Sequence, residues 1–392
     1  MSRTPRTRRV AAASVALCLA GLASCQGDGG AGRGGSPVGA GASANSFTLV
    51  ASGDVLPHSS IIDKAHADAG GRGYDFRPML SGVKPVVARA DLAICHMETV
   101  YGADGDYTGY PTFKSPPQIA EGLAATGYDA CSTASNHTLD DGSAGVHRTL
   151  DALDRAGVRH AGSARSAAEA SVPTIMQAGA AKVAHLAYTY DTNGIPLPPG
   201  APWTVNLIDP DRIVADARAA RKAGADVVVV SLHWGTEWQD EPDLRQRELG
   251  ERLTGSRTGG RPDLDLVLGT HAHVPQAYEK VNGTWVIYGM GDQIAGAMVN
   301  HSGTHDPRGN ESTIGRFTFA PPGEPGGRWR VEKAEFVPQW FDLRTGRVVD
   351  LSAANGQDAD AKAVRDRIRR VVLSRGAGED GLVMAKPPAT AE

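Results

Sequence analysis

The sequence predicts an α/β fold, because short apolar runs alternate with helical patterns along most of the chain. The apolar runs are continuous, which is typical of strands in a sheet that is covered on both faces. Toward the C-terminus, residues 315–341 form strand-like segments that predict antiparallel hairpins. The 392 residues carry a net charge of -4 and no basic run, which argues against nucleic acid as a partner.

The first 24 residues have the features of a secretion signal. Four arginines precede the apolar run VAAASVALCLAGLA, which is too short to span a membrane comfortably. The run ends in LASC, which resembles the bacterial lipobox and makes Cys25 the lipidation site; an ordinary secretion signal is the alternative. A flexible Gly/Ala/Ser tether follows over 25–45. We therefore expect an exported lipoprotein, anchored by lipid on the outer face of the bacterial cytoplasmic membrane.

Two cysteines remain once Cys18 is assigned to the signal and Cys25 to the lipid. Cys95 and Cys131 both lie in apolar, strand-like runs. We expect two buried free thiols, and a disulfide is the alternative that this compartment allows.

The main domain is predicted to span residues 46–350, followed by a C-terminal helix over 351–376 and a disordered tail over 377–392. Helices are expected where Asp or Pro opens a periodic segment and Gly closes it. These are 140–157, 209–224 and 242–253. The predicted strands before the hairpins are 47–52, 91–95, 129–133, 182–189, 226–232, 265–269 and 285–289.

Polar side chains follow six of these strands, at the points where the strands end. A single histidine at such a point is usually structural. Ligands of α/β sheets bind beyond the carboxyl ends of the strands, so six exits of this kind together favour a binding site. The residues are Asp54, Glu98, Asn136, His137, His233, His271, His273 and Asp292.

Carboxylate, amide and imidazole ligands together suit a divalent cation such as Mn, Fe or Zn. No cysteine spacing typical of a structural zinc finger is present. His271 and His273 stand at i and i+2, and in an extended segment both imidazoles would point to the same side.

The motifs SGDVL, CHMETV, SNHTLDDG, LHWGTEW, GTHAHVPQ and GMGDQ occur in this order along the chain. Over residues 46–298 the chain resembles the CapA family of capsule and poly-γ-glutamate synthesis proteins, within the calcineurin-like metallophosphoesterase superfamily. The resemblance implies a metallophosphatase-like β-sandwich flanked by helices, in four αββα layers, with C-terminal β-hairpins.

The resemblance also implies a role for each motif residue. Asp54, Asn136, His233, His271 and His273 would be metal ligands, and Glu98 would touch both metals if two are bound. His137 would bind no metal and would instead act as the acid that protonates the leaving group. One complete metal site is expected, and a second is left open.

The chain departs from the family pattern in three places. Leu56 stands where the superfamily has a histidine, and His58, two residues on, is the candidate replacement. Asp292 stands where the family usually has asparagine, and CHMET replaces the usual Val-Asn-Leu-Glu. His96 in that motif is expected to be a surface side chain.

Several further residues have a functional and a structural interpretation. Lys114 is either a substrate contact or a solvated surface residue. Trp234 and Glu237 either shape the pocket and orient His233 or pack structurally. Asp141, after Asp140, is expected to set the start of the helix that fixes Asn136 and His137. Residues 300–310 are expected to form a flexible loop, with a lid as one interpretation and without metal ligands.

The sequence favours a metal-dependent hydrolase that acts on capsule, poly-γ-glutamate or another cell-envelope polymer, through a metal-activated water and His137 as the acid. One alternative is a non-catalytic assembly or export factor that binds an anionic polymer together with capsule machinery. Another is a metallophosphoesterase of an unrelated phosphodiester. A binding module with a purely structural metal is the third.

Overall fold

The computed structural model describes residues 45–324, 327–353 and 358–387. The predicted signal peptide, Cys25 and all but the last residue of the tether lie outside these ranges. Within the described part of the chain, no helix has the length and apolar character needed to cross a membrane.

Nineteen strands form in the described residues. In chain order they are β1 (Phe47–Val55), β2 (Leu92–Met97), β3 (Val100–Tyr101), β4 (Lys114–Ser115), β5 (Ala130–Ser132), β6 (Arg159–Ala161), β7 (Thr174–Ala178), β8 (Ala181–Thr189), β9 (Val227–His233), β10 (Arg257–Thr258), β11 (Arg261–Pro262), β12 (Leu266–Thr270), β13 (Tyr278–Val281), β14 (Thr284–Ile287), β15 (Asp292–Ile294), β16 (Glu311–Ala320), β17 (Arg330–Asp342), β18 (Arg347–Asp350) and β19 (Leu382–Met384).

The same residues contain eight α-helices and two short 3₁₀ helices, at Pro307–Asn310 and Leu351–Ala353. The α-helices are α1 (Ser59–Asp68), α2 (Lys84–Val87), α3 (Gln118–Thr126), α4 (Gly142–Ala156), α5 (Ala167–Ala170), α6 (Pro210–Lys222), α7 (Leu244–Gly255) and α8 (Ala359–Val372).

Two mixed sheets contain most of the strands. The first sheet has the order β18-β17-β16-β1-β2-β5-β6, with β15 beside β1 and β19 beside β17. The second has the order β13-β14-β12-β9-β8-β7. Strands β1, β2 and β5 are parallel neighbours in the first sheet, so their carboxyl ends meet at one edge. The same holds for β9 and β12 in the second sheet.

The two sheets pack face to face, and helices cover both outer faces. Leu49 and Ile94 of the first sheet share a buried core with Val229 of the second. Helices α1, α3 and α4 contribute to the core behind the first sheet. Helices α6 and α7 do the same behind the second sheet. The predicted four-layer αββα sandwich with C-terminal hairpins is therefore confirmed.

The predicted elements are present, with shifts of a few residues at their ends. All seven predicted strands form, and the hairpin region gives the antiparallel pair β16–β17. Asp209 caps α6 by accepting from the backbone N–H groups of Asp211 and Arg212. Gly157 ends α4 in the left-handed conformation, with φ of 79°. Local capping chemistry thus explains why these helices could be placed from the sequence.

The predicted disordered tail differs from the structure as far as residue 387. Helix α8 packs its buried face, with Val364 and Ile368, into the core between the sheets. The chain then turns back, and β19 pairs in parallel with β17. Leu382 is 2% exposed, so burial of this side chain holds the segment against the sheet.

The expectation of two free thiols is wrong in this structure. Cys95 and Cys131 are direct partners in the parallel pairing of β2 and β5, and a disulfide joins them. Their Cα atoms lie 4.4 Å apart. The sequence could not distinguish the two outcomes, because pairing depends on which strands become neighbours. The bridge ties together the two strands that lead into His96 and Asn136.

Candidate metal centre

Both sheets contribute polar side chains to one buried cluster at their shared edge. The first sheet supplies Asp54, His96 and Asp292 from β1, β2 and β15. Glu98 follows β2 directly. The second sheet supplies residues at or after the ends of β9 and β12, which are His233, His271 and His273.

Asp54 lies at the centre of this cluster and is 0% exposed. It pairs in register with Asp292 on β15 and with His96 on β2. The backbone N–H of His271 donates to Oδ2 of Asp54 at 3.1 Å. Nε2 of His96 lies 3.6 Å from Oδ1 of the same carboxylate. Strand pairing therefore fixes Asp54 within the first sheet, and the hydrogen bond from His271 ties it to the loop that follows the second sheet's β12.

Glu98 and His233 form the second part of the cluster. Oε1 of Glu98 lies 3.7 Å from Nε2 of His233, which is also 2.8 Å from Oδ1 of Asn136. Nδ1 of His233 lies 3.0 Å from the Thr270 hydroxyl. The Thr270 contact fixes the ring, so that Nε2 is directed to Glu98 and Asn136.

His96 corrects a sequence-based expectation, because it is buried and not a surface side chain. Only 2% of the residue is exposed. Its Nδ1 is hydrogen-bonded to the hydroxyl of Ser132 at 2.6 Å, and its ring stacks on that of His233 with centroids 4.7 Å apart. The alternation of strand β2 could have predicted this, since His96 and Glu98 stand two residues apart.

Many side-chain nitrogen and oxygen atoms of the cluster that could ligate a metal have no hydrogen-bond partner among the described residues. Buried, unpaired polar atoms are costly, and a bound cation would satisfy them. They are Asp54 Oδ1, His96 Nε2, both oxygens of Glu98, His271 Nδ1 and Asp292 Oδ2. This residue set fits a divalent cation.

The donor atoms fall into three overlapping groups, each with its ligand atoms within 4.8 Å of one another. Glu98 belongs to all three, as expected for a carboxylate between two cation positions. The groups are Asp54–His96–Glu98–His233, Glu98–His271–His273 and Asp54–Glu98–His273–Asp292.

Burial shifts the titration of these side chains in opposite directions. It raises the pKa of Asp54 well above its ordinary value, and the neighbouring Asp292 raises it further. Burial likewise raises the pKa of Glu98, with Asp54 as the second cause. Burial lowers the pKa of His96 to about 3 and that of His271 well below its usual value. These histidines are therefore neutral, the form in which imidazole binds a metal.

His273 is the exception among the histidines. Burial lowers its pKa, but the carboxylates of Asp292, Glu98 and Glu237 together outweigh this and leave the pKa well above its usual value. Nδ1 of His273 lies 3.0 Å from Oδ1 of Asp292. Asp292, where asparagine was the usual residue, thus gives His273 a charged partner.

His271 and His273 reach the cluster by a different route from the one predicted. The sequence predicts that His271 and His273 lie in an extended segment, but φ is 90° at His271 and 59° at His273. Non-glycine residues rarely adopt positive φ, and such residues concentrate at functional sites. Both imidazoles nevertheless face the same carboxylate, since each Nε2 lies 4.0 Å from Oε1 of Glu237.

His137 lies beside the cluster and is held by a residue that the sequence did not single out for this purpose. Its Nδ1 is 2.7 Å from Oδ2 of Asp140, which also accepts from the backbone N–H of Phe113 at 2.7 Å. The ring edge packs on Phe113, with centroids 4.7 Å apart. Asn136 is tied to the neighbouring loop, because its Nδ2 donates to Oδ1 of Asn193 at 3.2 Å.

Asp141 is directed away from His137. It occupies the N-cap position of α4 without accepting a capping hydrogen bond, and its carboxylate pairs with Arg148. The sequence placed the helix start correctly, but Asp140 and not Asp141 contacts the histidine.

His58 is not placed among the metal-ligating groups of the described residues. Its ring meets Phe113 edge-on at 5.0 Å and lies 6.4 Å from that of Tyr110. Burial lowers its pKa to about 4. His58 therefore forms part of an aromatic wall near His137 and does not replace the missing first-motif histidine.

Lys114 and Trp234 both have partners within the protein. Lys114 pairs with Asp106 on the adjoining loop. Trp234 is buried behind the second sheet, where its indole N–H donates to the backbone oxygen of Tyr288 at 2.9 Å.

Glu237 and the 300–310 segment lie at the rim of the cluster. Glu237 contacts His271 and His273, and its other oxygen is 3.7 Å from Nε2 of His301, whose side chain is 69% exposed. Among the described residues, Glu237 is the member of the cluster with which His301 pairs.

Comparison with known proteins gives one family match and several relatives. Residues 48–297 match the family described as "Bacterial capsule synthesis protein PGA_cap". A "Probable polyglutamine synthesis accessory protein" of Mycobacterium tuberculosis is 27% identical over 219 residues, which cover 52% of this chain and 55% of that protein. The "PGA biosynthesis protein CapA" of Bacillus subtilis is 28% identical over 169 residues, 43% of this chain and 42% of that one. The chain thus spans about half the length of these curated relatives.

Two solved structures give distant matches. A calcineurin-like phosphoesterase from Bacillus subtilis is 13% identical with a TM-score of 0.44, over 83% of this chain and 97% of that one. A 5'-nucleotidase precursor from Thermus thermophilus is 16% identical with a TM-score of 0.43, over 84% of this chain and 59% of that one.

Proposed function

The chain belongs to the PGA_cap family of bacterial capsule synthesis proteins, and on this basis we propose that it is an exported metal-dependent hydrolase. Its substrate is a cell-envelope polymer such as capsule or poly-γ-glutamate, which it processes during synthesis, release or anchoring. The observation that carries this proposal is the convergence of unpaired carboxylate and imidazole atoms on one buried point, beside a histidine whose ring is fixed by Asp140.

Eight side chains of the cluster would hold the metal. They are Asp54, His96, Glu98, Asn136, His233, His271, His273 and Asp292. Carboxylate, amide and imidazole donors together favour Mn, Fe or Zn. A divalent cation in this place would supply Lewis acidity for the attack of water. Glu98 belongs to every ligand group, which supports two neighbouring cation positions that share this carboxylate.

His137 would move the proton in this reaction. An ionised carboxylate can only accept, so Asp140 takes the hydrogen bond from Nδ1–H and leaves Nε2 as the atom that exchanges a proton with the leaving group. Asp140 is thus a positioning residue, which fixes the tautomer and the orientation of the ring.

The test is a paired substitution at the adjacent residues Asn136 and His137. We expect His137→Ala to keep its metal while turnover falls by about 10²–10⁴-fold, as general-acid catalysis predicts. We expect Asn136→Ala to lose metal. Metal content is measured by elemental analysis, and turnover by a screen of phosphodiesters, phosphomonoesters and poly-γ-glutamate. Full activity of His137→Ala on the substrate that the unaltered chain cleaves would exclude the proposed acid role.

A second candidate is a non-catalytic accessory factor for an anionic polymer. The name of the mycobacterial relative, a probable polyglutamine synthesis accessory protein, favours this candidate. In that case variants such as Glu98→Gln would still support export or anchoring of the polymer in cells, although they bind no metal. Loss of polymer release in the same variants would favour the hydrolase.

A further inference from the structure

A cavity separate from the metal centre opens at the edge of the second sheet where its parallel strands begin. The metal centre lies at the other edge, where these strands end. The cavity has a volume of about 550 Å³. Asp265 and Gly283, which precede β12 and β14, line it together with the β10–β11 hairpin and the start of β17. Strand β12 has five residues and rises ~3.3 Å per residue, which places the cavity roughly 15 Å along the strand from the metal centre.

The lining of this cavity is strongly basic, although the chain as a whole carries a net charge of -4. The only lining carboxylate in the described residues, Asp265, is already paired with Arg221 and Arg328 and accepts from the backbone N–H of Val228. The cationic lining residues are Arg257, Arg261, Lys280, Arg328 and Arg330.

Most of these cations have no counter-charge among the residues that the structure describes. Arg257 donates only to the backbone oxygens of Gly260 and Asn282, at 3.4 and 3.3 Å. Arg261 donates to the backbone oxygen of Asp226 at 2.7 Å, and its buried Nε has no partner. Burial lowers the pKa of Arg261 and the neighbouring Arg221 lowers it further, whereas Asp265 and Asp226 raise it. Neither carboxylate forms an ion pair with Arg261 among the described residues.

An apolar floor accompanies the charges. Trp285, Trp329 and Phe319 line the cavity and are 3%, 6% and 1% exposed. Nζ of Lys280 lies 5.6 Å above the ring centre of Trp285, which holds this cation at the cavity by a cation–π contact. Such a surface suits a ligand in which anionic groups are separated by short apolar links.

We propose that this basic cavity binds a segment of an anionic polymer through its carboxylate or phosphate groups, at a site separate from the metal centre. Guanidinium groups bind such oxyanions through paired hydrogen bonds. The volume lies in the range of ordinary ligand pockets, large enough for a few repeat units. This inference goes beyond hydrolysis, because it assigns polymer retention to a second place on the molecule and does not require turnover.

The test measures binding of poly-γ-glutamate and of inorganic polyphosphate to the full chain by titration calorimetry, with a chelator present. The variant is Arg257→Gln/Arg330→Gln, which removes two exposed cations without leaving a carboxylate unpaired. We expect the affinity to fall at least about 10-fold, because the variant loses two cations that can form charge-assisted hydrogen bonds with the polymer. Loss of poly-γ-glutamate binding would identify a carboxylate polymer, and loss of polyphosphate binding a phosphate polymer.

A matched control makes the result decisive. Arg72→Gln/Arg245→Gln removes the same charge from exposed positions outside the cavity and should leave the affinity unchanged. Equal weakening by both arginine variants, or no saturable binding of either polymer, would overturn the proposal. If the chain binds polymer as expected but shows no hydrolytic activity, the proposed hydrolase function is wrong and the polymer-binding site stands.

Discussion

The adjacent residues Asp140 and Asp141 have different contacts because their side chains point in different directions. Asp140 is directed to His137 and to the backbone of Phe113, whereas Asp141 is directed to Arg148 on the first turns of α4. The sequence shows only that both follow the histidine. Their different contacts make them a matched pair for experiment.

We expect Asp140→Asn to lower turnover by about 10–100-fold with metal content unchanged, because an amide no longer fixes the tautomer of His137. The matched Asp141→Asn should keep turnover near that of the unaltered chain. The measurement is steady-state kinetics over a range of pH, since a purely structural role would not alter the pH profile. Equal effects of the two substitutions would contradict the positioning role of Asp140.

The buried carboxylates predict how metal affinity depends on pH. Burial raises the pKa of Asp54 and of Glu98. Both side chains therefore stabilise the metal-free fold only while they are protonated. This stabilisation is lost as pH rises through their folded-state pKa. A cation binds the ionised form and must displace these protons. We expect the affinity to rise as pH rises through the folded-state pKa of these carboxylates, with proton release. Calorimetry in two buffers of different ionisation enthalpy measures this, and a pH-independent affinity would contradict it.

Most of the centre could be predicted from residue types at strand ends. Asp54, Glu98, Asn136, His233, His271 and His273 all lie in the cluster, because parallel strands bring their carboxyl ends to one edge. His96 and Asp140 were missed as site residues. Recognising them requires knowing which neighbour faces each side chain, Ser132 for one and Phe113 for the other, and strand pairing decides this.

At the level of the elements, the close approach of β1 and β15 depends on glycine. A Cβ atom at Gly53 would lie 1.8 Å from the backbone oxygen of Gly291. That oxygen accepts from the backbone N–H of Asp54 at 3.0 Å. Gly53 therefore permits the contact that places Asp54 beside Asp292.

We expect Gly53→Ala to lower the free energy of unfolding by about 1–3 kcal/mol, because overpacking forces the two strands apart. Metal affinity should fall at the same time, since Asp54 and Asp292 separate. Gly323→Ala is the control, because a Cβ there meets no atom within 4 Å. Thermal unfolding and metal titration measure both effects, and unchanged metal binding in Gly53→Ala would show that the contact is dispensable.

Strands and capped helices were predictable because their signals are local. Hydrophobic runs identified the seven strands, and Asp209 identified the start of α6. The division of these strands between two sheets, and the order within each sheet, came from the family resemblance or from the structure. Strand β19 escaped prediction because its three residues acquire order only by pairing with β17.

For the whole molecule, the centre joins the two halves of the sandwich. Asp54, Glu98 and Asp292 come from the first sheet and its exits, and His233 and His271 from the second. Without a cation, three carboxylates lie close together in a buried place. A bound cation would therefore stabilise the association of the sheets as well as provide chemistry.

We expect chelation to lower the melting temperature of the chain, and added Mn to restore it. At a metal concentration 100 times Kd the expected stabilisation is about 2.7 kcal/mol. Differential scanning calorimetry with and without chelator measures the effect, with Glu98→Gln as the variant that should no longer respond. Identical melting of the unaltered chain in both conditions would contradict a metal that bridges the sheets.

The pairing of β1 with β15 and β16 also determines when the centre can form during synthesis. The hydrogen bond from His271 to Asp54 spans 217 residues. Strand β1 can pair with β2 early, but its other two neighbours, β15 and β16, are made much later. Contacts of such long range form late in folding. A nascent chain thus cannot assemble the ligand set before Asp292, the last residue of the ligand groups, has left the ribosome.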